Sequence, residues 1–285
     1  MPSIELPHGT VHYRQTGPDN SVAAPVVFVH GFLVNGTLWT RTADALAVAG
    51  IRSYAPDWPL GSHSVALAHD ADQSPRGVAR QIIALLEALD LRDVTLVGND
   101  TGGALCQFVL DTDPARVGRV VLTNCDAFDQ FPPPPFGRLF TAFGHASLIV
   151  PLMAPMRLAA VRHSALGFGL LVAEPMDAGQ TRGWVEPCLT DAGVRRDVSR
   201  FARAVDPAEL DAVSGRLGAF AGPALLVWGM ADRFFKPAFA HRLRDAFADA
   251  RLVGIAGGRT FVPHDQPDRL AQEIAAFQLA RVGSL

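Results

Sequence analysis

The chain has 285 residues, of which 49% are hydrophobic, so it is long enough to bury one large core, alone or with an inserted lid. Its 25 basic and 28 acidic residues give a net charge of -3, which provides no basic surface for nucleic acid or for an anionic membrane. We therefore expect a small-molecule substrate and neither a nucleic-acid nor a membrane partner. The composition carries no information on the oligomeric state.

The three cysteines, Cys106, Cys125 and Cys188, are widely spaced and form no CxxC pair. This pattern predicts free thiols rather than a disulfide framework or a zinc site. The N-terminus lacks the basic start and apolar segment of a signal peptide, so we expect a cytoplasmic protein. The apolar region 148–172 is interrupted by two arginines and a histidine, which argues against an uncharged membrane span.

The N-terminal part of the chain predicts strands that alternate with helices. Residues 25–30 are continuously apolar, which is typical of a strand buried on both faces. Residues 76–91 carry apolar side chains at the helical period, and residues 56–73 have the composition of a surface loop. The other elements predicted here are strands at 4–6, 10–15 and 51–55 and a helix at 40–49.

Residues 94–103 have the pattern of a strand, a tight turn and a helix. A short β-rich apolar run ends at Gly98, Asp100 follows, and Gly102 and Gly103 open an apolar helical stretch. This is the G-x-S-x-G spacing of a nucleophile elbow, with Asp100 where serine is usual. The flanking glycines let two backbones pass closely around a strained turn.

The rest of the chain predicts a second set of strands and helices after an interruption. Residues 117–123 form the next predicted strand, and a proline run at 132–135 then breaks the pattern because proline is excluded from sheet and helix interiors. The following residues, up to about 216, are helical in pattern. Strands and helices resume at 223–229, 237–247, 251–255 and 267–281. The sequence thus predicts an α/β fold with a mostly parallel central sheet and helices on both faces, with 1–130 and 217–285 as the core and 131–216 as an inserted helical cap.

On the elbow at Asp100 and the turn from His30 to Phe32, the chain resembles the α/β-hydrolase superfamily, and within it the branch with an Asp nucleophile, which includes haloalkane dehalogenases and epoxide hydrolases. The resemblance implies that Asp100 attacks carbon to give an alkyl-enzyme ester, which a His-activated water then hydrolyses. It also implies that the backbone N–H groups of Phe32 and Thr101 form an oxyanion hole and that His30 is structural. No cofactor and no metal ion are implied.

The resemblance also gives candidates for the acid and the base that complete the site. Asp232, after the seventh strand, matches the orienting acid, and Asp126, after the sixth strand, is the alternative because some relatives carry the acid there. In the family the catalytic histidine directly precedes an aromatic residue, which is Phe261 here, and that position is occupied by Thr260. His264, four residues further on, is the candidate base.

Further side chains of the predicted cap are candidates for the site. His145 and His163 are alternative sources of an imidazole, and Trp184 is a candidate for lining the substrate pocket. Epoxide hydrolases of this fold protonate the epoxide oxygen with cap tyrosines. The only tyrosines here, Tyr13 and Tyr54, fall on predicted core strands, so opening an epoxide would need another acid.

The sequence favours a hydrolase that acts on a small, largely apolar molecule through Asp100 and an ester intermediate, with Asp232 and His264 completing the triad. Because Thr260 occupies the family's histidine position, two alternatives stay open. One is a non-hydrolytic enzyme on the same fold, in which Asp100 is the acid or base of an isomerisation, elimination or cyclisation. The other is a ligand-binding protein on a hydrolase scaffold that has lost its activity.

Overall fold

A computed structural model of the chain describes residues 1–279, and an eight-stranded sheet forms its centre. The strand order is β1-β2-β4-β3-β5-β6-β7-β8. The first two pairings, β1 with β2 and β2 with β4, are antiparallel, and the others are parallel. This confirms the predicted, mostly parallel sheet. The strands are β1 (Ser3–Leu6), β2 (Gly9–Thr16), β3 (Val26–Val29), β4 (Ser53–Pro56), β5 (Val94–Asp100), β6 (Val117–Cys125), β7 (Ala224–Gly229) and β8 (Ala250–Ile255).

Helices cover the sheet. Because they bury its central strands, those strands contain continuous apolar runs. Every residue of β3 is buried, as expected for a strand that is covered on both faces. The core helices pack in pairs, α1 against α12 and α2 against α3. These helices are α1 (Thr40–Val48), α2 (Pro75–Ala88), α3 (Thr101–Thr112) and, at the end of the described residues, α12 (Pro267–Leu279). The last two residues of the predicted helix 267–281 lie outside the described residues.

The ends of helix α2 follow from its sequence. Ser74 is the N-cap, and its hydroxyl accepts a hydrogen bond from the Gly77 N–H at 3.0 Å, which satisfies a donor that the first turn leaves free. Pro75 occupies the first turn, where its missing N–H costs nothing. The apolar face includes Val78, Ile82 and Leu85, all of which are buried.

Between β6 and β7 the chain forms an inserted helical segment. Its helices are α4 (Gly137–Phe143), α5 (Ala146–Met153), α6 (Ala159–Arg162), α7 (Ala178–Thr190), α8 (Ala192–Ala204) and α9 (Pro207–Ser214). The buried Arg162 ties the middle of this segment together by donating hydrogen bonds to the carbonyls of Met156, Arg157 and Ala178 at 2.8, 2.8 and 3.0 Å. Hydrogen bonds from a charged donor are stronger than neutral ones, so we expect Arg162 to stabilise the fold of this inserted segment.

The C-terminal part returns to the core through α10 (Pro237–Ala246) and the short helix α11 (Val262–Asp265), which precedes α12. The three cysteines are free and buried, as predicted. Within residues 1–279 no single helix is long and apolar enough to cross a membrane. One pair, Gly137–Phe143 with Ala146–Arg157, meets the length and composition criteria only jointly, and it is bent by 119°.

Candidate active site

Asp100 lies at the strand-to-helix elbow, between the end of β5 and the start of α3. Its φ of 55° and ψ of -133° are unusual for a non-glycine residue, and such strain persists only where the surrounding structure imposes it. The surroundings are crowded, since a Cβ at Gly31 would overlap the Asp100 carboxylate and a Cβ at Gly102 would overlap the Val29 carbonyl. The glycines therefore allow the backbone to approach closely on both sides of Asp100, as the sequence predicts.

Backbone N–H groups orient the Asp100 carboxylate. The N–H of Phe32 donates to Oδ2 at 3.2 Å, and the N–H of Thr101 also donates to this carboxylate. Burial raises the pKa of Asp100 to about 7, and these two hydrogen bonds oppose the rise because they favour the charged form. The two residues expected from the sequence to supply the oxyanion donors are thus in contact with Asp100.

A second carboxyl group, that of Asp126, lies beside the elbow just after β6. The side chain is 1% exposed, and its Oδ2 accepts a hydrogen bond from Thr101 Oγ1 at 3.2 Å. Its Oδ1 is buried and has no hydrogen-bond partner among the described residues. Burial raises the pKa of Asp126 well above its usual range, and the nearby Asp100 charge raises it further.

Asp232 follows β7, and its hydrogen bonds are made without a histidine. Oδ2 accepts a hydrogen bond from Asn124 Nδ2 at 2.7 Å, and Oδ1 accepts from the N–H groups of Phe234 and Phe235 at 2.8 and 3.2 Å. Burial raises the pKa of this carboxyl group, and the hydrogen bonds oppose that rise. Asp232 thus shapes the 232–235 turn, and no imidazole contacts it in the described residues.

Thr260, at the family's histidine position, is fully buried. Its carbonyl accepts a hydrogen bond from Asn99 Nδ2 at 2.7 Å, and its hydroxyl lies near Asp232 without forming a hydrogen bond of normal geometry. The next residue, Phe261, donates its N–H to the carbonyl of Leu171 at 2.9 Å. This loop therefore joins the end of β5 to the inserted segment, and it brings no imidazole to Asp100.

His264, the candidate base, lies on the one-turn helix α11 and contacts other residues. Its Nε2 is 3.3 Å from the Glu174 carbonyl, and the side chain lines a surface depression with Arg41 and Asp177, apart from the cavity that contains Asp100. The N–H of His264 donates to the Phe261 carbonyl at 2.9 Å, so the chain turns back instead of extending across the loop. The structure therefore corrects the predicted triad, because it does not bring His264 to Asp100.

The other histidines do not supply a base at Asp100 either. Nε2 of the buried His30 accepts a hydrogen bond from the Trp58 N–H at 2.7 Å, and burial lowers the pKa of His30 to about 4, consistent with a structural role. His163 Nε2 is 2.9 Å from Thr181 Oγ1, and His145 is exposed at the start of α5. All nine histidines fall within the described residues, and none lines the cavity.

The cavity above Asp100 has a volume of about 170 Å³. Among residues 1–279, the polar side chains that line it are those of Asp100, Thr101 and Asp126, and the rest of this lining is apolar or glycine. The walls come from the turn after β3, the proline run, the inserted segment and the turn after β7. Representative wall residues are Phe32, Phe136, Met156, Leu166, Phe234 and Phe235.

Trp184 does not line this cavity, contrary to the expectation from the sequence. It is fully buried in α7, and its Nε1 donates to Thr37 Oγ1 at 2.8 Å. Its ring packs edge-on against Phe168 and Phe261, with centroids 5.3 and 6.1 Å away. Because Phe168 lines the cavity and Trp184 does not, the tryptophan supports the wall from behind.

A mostly parallel sheet, an acid at the elbow after a central strand and a helical insertion between β6 and β7 together define an α/β hydrolase. Residues 24–267 match the family model of the alpha/beta hydrolase fold, and the chain belongs to this family. It is therefore an enzyme of the α/β-hydrolase type.

Two curated relatives illustrate the range of the family. The chain is 29% identical over 234 residues to a 2-hydroxy-6-oxononadienedioate/2-hydroxy-6-oxononatrienedioate hydrolase of Paraburkholderia xenovorans, which covers 79% of this chain and 75% of the relative. It is 27% identical over 281 residues to haloalkane dehalogenase 2 of Mycobacterium bovis, which covers 93% and 90%. Among solved structures, a putative ancestral haloalkane dehalogenase, AncHLD2, superposes with a TM-score of 0.80 at 20% identity over 100% of both chains, which shows a shared fold.

Proposed function

We propose that this enzyme is a hydrolase in which the Asp100 carboxylate attacks a small, uncharged, largely apolar molecule to form an ester between enzyme and substrate. The observation that supports this most directly is the position of Asp100, which stands on a strained elbow at an apolar cavity with backbone N–H groups on its carboxylate. A carboxylate needs no base to become a nucleophile, so the absence of a nearby imidazole does not prevent this step.

The cavity supports an uncharged substrate. The negative charge of the Asp100 and Asp126 pair would repel an anion, and among the described residues no Lys, Arg or His side chain lines the cavity to compensate. The relative from Paraburkholderia xenovorans is named for a dioate, and a doubly negative molecule does not suit this cavity. The relative from Mycobacterium bovis is named for a haloalkane, which is apolar. A volume of about 170 Å³ is slightly larger than the roughly 150 Å³ cavity that holds benzene in another protein.

A second candidate is a non-hydrolytic reaction in which Asp100 transfers a proton. It is favoured by the pKa of Asp100, which burial raises to about 7, because a general acid or base works best when its pKa is near the working pH. This reaction would form no ester at Asp100, so detection of an ester separates the two candidates.

The test is intact-mass spectrometry after incubation with a panel of alkyl halides, epoxides and activated esters, with free product quantified in parallel. We expect an adduct or a product that is lost in Asp100→Asn, and peptide mapping should place any adduct at Asp100. The matched control is Asp129→Asn, which makes the same chemical change at a side chain that is 73% exposed. If turnover or labelling survived in Asp100→Asn, the proposed nucleophile would be wrong.

A further inference from the structure

We propose that Asp126 is a second catalytic carboxyl group, which donates its proton to an oxygen leaving group and then acts as the base that activates water. The inference rests on the proposed role of Asp100 as nucleophile. It assigns both proton transfers of the cycle to one side chain and leaves no step that requires a histidine.

The sheet places the two carboxyl groups side by side. Strands β5 and β6 are parallel neighbours, and their register pairs Asp100 with Cys125, the residue before Asp126. The N–H of Asp126 donates to the Asp100 carbonyl at 3.4 Å, and both side chains line the same cavity. A molecule in the cavity can therefore contact one carboxyl group with its electrophilic carbon and the other with its leaving atom.

The polar side chains of the cavity leave one candidate for a proton donor. Besides Asp100 and Asp126, only Thr101 is polar among the described residues of the lining, and the Thr101 hydroxyl already donates its proton to Asp126 Oδ2 at 3.2 Å. The tyrosines that protonate oxygen in the resembling epoxide hydrolases have no counterpart in the lining, because Tyr13 and Tyr54 lie on β2 and β4. A neutral carboxylic acid is the remaining donor.

The hydrogen bonds decide which carboxyl group holds the proton. Two carboxylates this close in an apolar site are not both ionised, so the pair shares a proton. The charge belongs on Asp100, which accepts two backbone N–H bonds, because such bonds favour the ionised form. Among the described residues, Asp126 accepts only the Thr101 hydroxyl, and its buried Oδ1 has no partner, so Oδ1 is the oxygen on which we place the proton.

The chemistry of the first step fits an uncharged electrophile whose leaving atom is oxygen, such as a strained cyclic ether. The Asp100 carboxylate forms a C–O bond to the ring carbon, the ring C–O bond breaks, and the proton of Asp126 passes to the released oxygen. The products are a hydroxyalkyl ester at Asp100 and an ionised Asp126. No charge is created or lost in the cavity.

The second step restores the starting state. Ionised Asp126 takes a proton from water, the hydroxide attacks the ester carbonyl of Asp100, and the ester C–O bond breaks. The released alkoxide takes a proton from Asp126 and the new acid of Asp100 returns one to it, which leaves Asp100 ionised and Asp126 neutral. A bromide leaving group takes up no proton, so Asp126 stays protonated after alkylation by a bromide and no base is generated.

The test compares styrene oxide with benzyl bromide, which deliver similar carbon skeletons with different leaving groups. We expect wild type to convert styrene oxide to the diol without accumulating an adduct, and to accumulate a lasting Asp100 adduct with benzyl bromide. In Asp126→Asn, the rate at which styrene oxide is consumed should fall by about 10²- to 10⁴-fold, the usual cost of losing a general acid, and labelling by benzyl bromide should fall much less. Asp129→Asn should match wild type with both reagents.

Three results would overturn the inference. A bromide-derived ester that is hydrolysed as fast as the epoxide-derived ester would mean that the base does not depend on the proton transfer. An equal loss of styrene oxide consumption and of benzyl bromide labelling in Asp126→Asn would mean that Asp126 only supports the elbow. An adduct with benzyl bromide but no reaction of wild type with styrene oxide would remove the role of Asp126 and leave Asp100 as nucleophile, whereas no adduct and no product from either reagent would contradict the proposed function itself.

Asp126→Asn could also fold poorly, so a measurement on wild type accompanies the variant. The rate at which styrene oxide is consumed should decline at high pH as Asp126 loses its proton, while labelling by benzyl bromide should reach a plateau. The groups that face Asp126 are Asp100 from β5 and Thr101 from α3, and burial keeps the thiol of the adjacent Cys125 neutral by raising its pKa. Identical pH profiles for the two reagents would contradict the role of Asp126.

Discussion

Asn99 Nδ2 donates a hydrogen bond of 2.7 Å to the backbone carbonyl of Thr260. Asn99 directly precedes Asp100, so this bond holds the loop that carries Thr260 against the end of β5. In the enzymes that the sequence resembles, the side chain at this position is the imidazole that activates water. The loop keeps that position, and the imidazole is replaced by a buried hydroxyl.

Thr260→His should restore a base at this position. The new imidazole would lie near the Asp232 carboxylate, and we expect it to speed the breakdown of the benzyl ester at Asp100 by about 10²- to 10⁴-fold. Because Thr260 is fully buried, the larger side chain should also cost roughly 1–3 kcal/mol of stability. The measurement is the decay of the adduct by intact mass after excess bromide is removed. Thr260→Phe is the control for size, and equal decay in both variants would count against this expectation.

His264→Ala should leave the chemistry of Asp100 almost unchanged. The side chain contacts the Glu174 carbonyl and lines a different depression, so it is not within hydrogen-bond reach of the ester, which a general base requires. We expect rates of adduct formation and of product release within about twofold of wild type, well below the factor of about 10² that marks the loss of a base. A loss of rate of that size in His264→Ala would mean that His264 is the base after all, as the sequence predicted.

The buried carboxyl groups should make stability fall as pH rises. Burial raises the pKa of Asp100 to about 7, so between about pH 4 and pH 7 the folded state holds a proton that the unfolded state has released. The free energy of unfolding therefore declines through that range, by a few kcal/mol at most, since one pKa unit corresponds to about 1.4 kcal/mol.

Asp100→Asn should remove this part of the decline, because the amide does not titrate. The measurement is urea unfolding of both proteins at about pH 5 and about pH 8. Asp126 and Asp232, whose pKa values burial also raises, remain in both proteins, so the difference between the two proteins reports the titration of Asp100 together with its effect on the neighbouring Asp126. A difference in stability that is the same at both pH values would contradict the raised pKa.

The fold could be predicted because its signals are local. The strands at 25–30 and 223–229 appear in the sequence as continuous apolar runs, and the elbow at Asp100 is specified by glycines within a few residues of it. The roles of Phe32 and Thr101 were implied by the family resemblance, and in the structure the backbone N–H groups of both residues contact Asp100.

The rest of the site depends on packing between distant segments. His264 lies four residues after Thr260, and the turn of α11 shortens the distance that these residues span. An apolar side chain such as that of Trp184 is suited both to the wall of a cavity and to the packing behind that wall, so the amino-acid sequence did not distinguish these two positions. The position of Asp126 had a usable signal: β5 ends in Asp100 and Asp126 directly follows β6, and neighbouring parallel strands bring the groups at their carboxyl ends to one edge of the sheet.

The most direct test of the ester at Asp100 is a single turnover in ¹⁸O-labelled water with enzyme in excess over styrene oxide. If hydroxide attacks the carbonyl of an ester, one labelled oxygen enters the Asp100 side chain and the first diol released is unlabelled. Mass spectrometry of the peptide that contains Asp100 and of the diol measures both. Label in the diol with none in Asp100 would mean that water attacks the substrate directly, and it would contradict Asp100 as nucleophile.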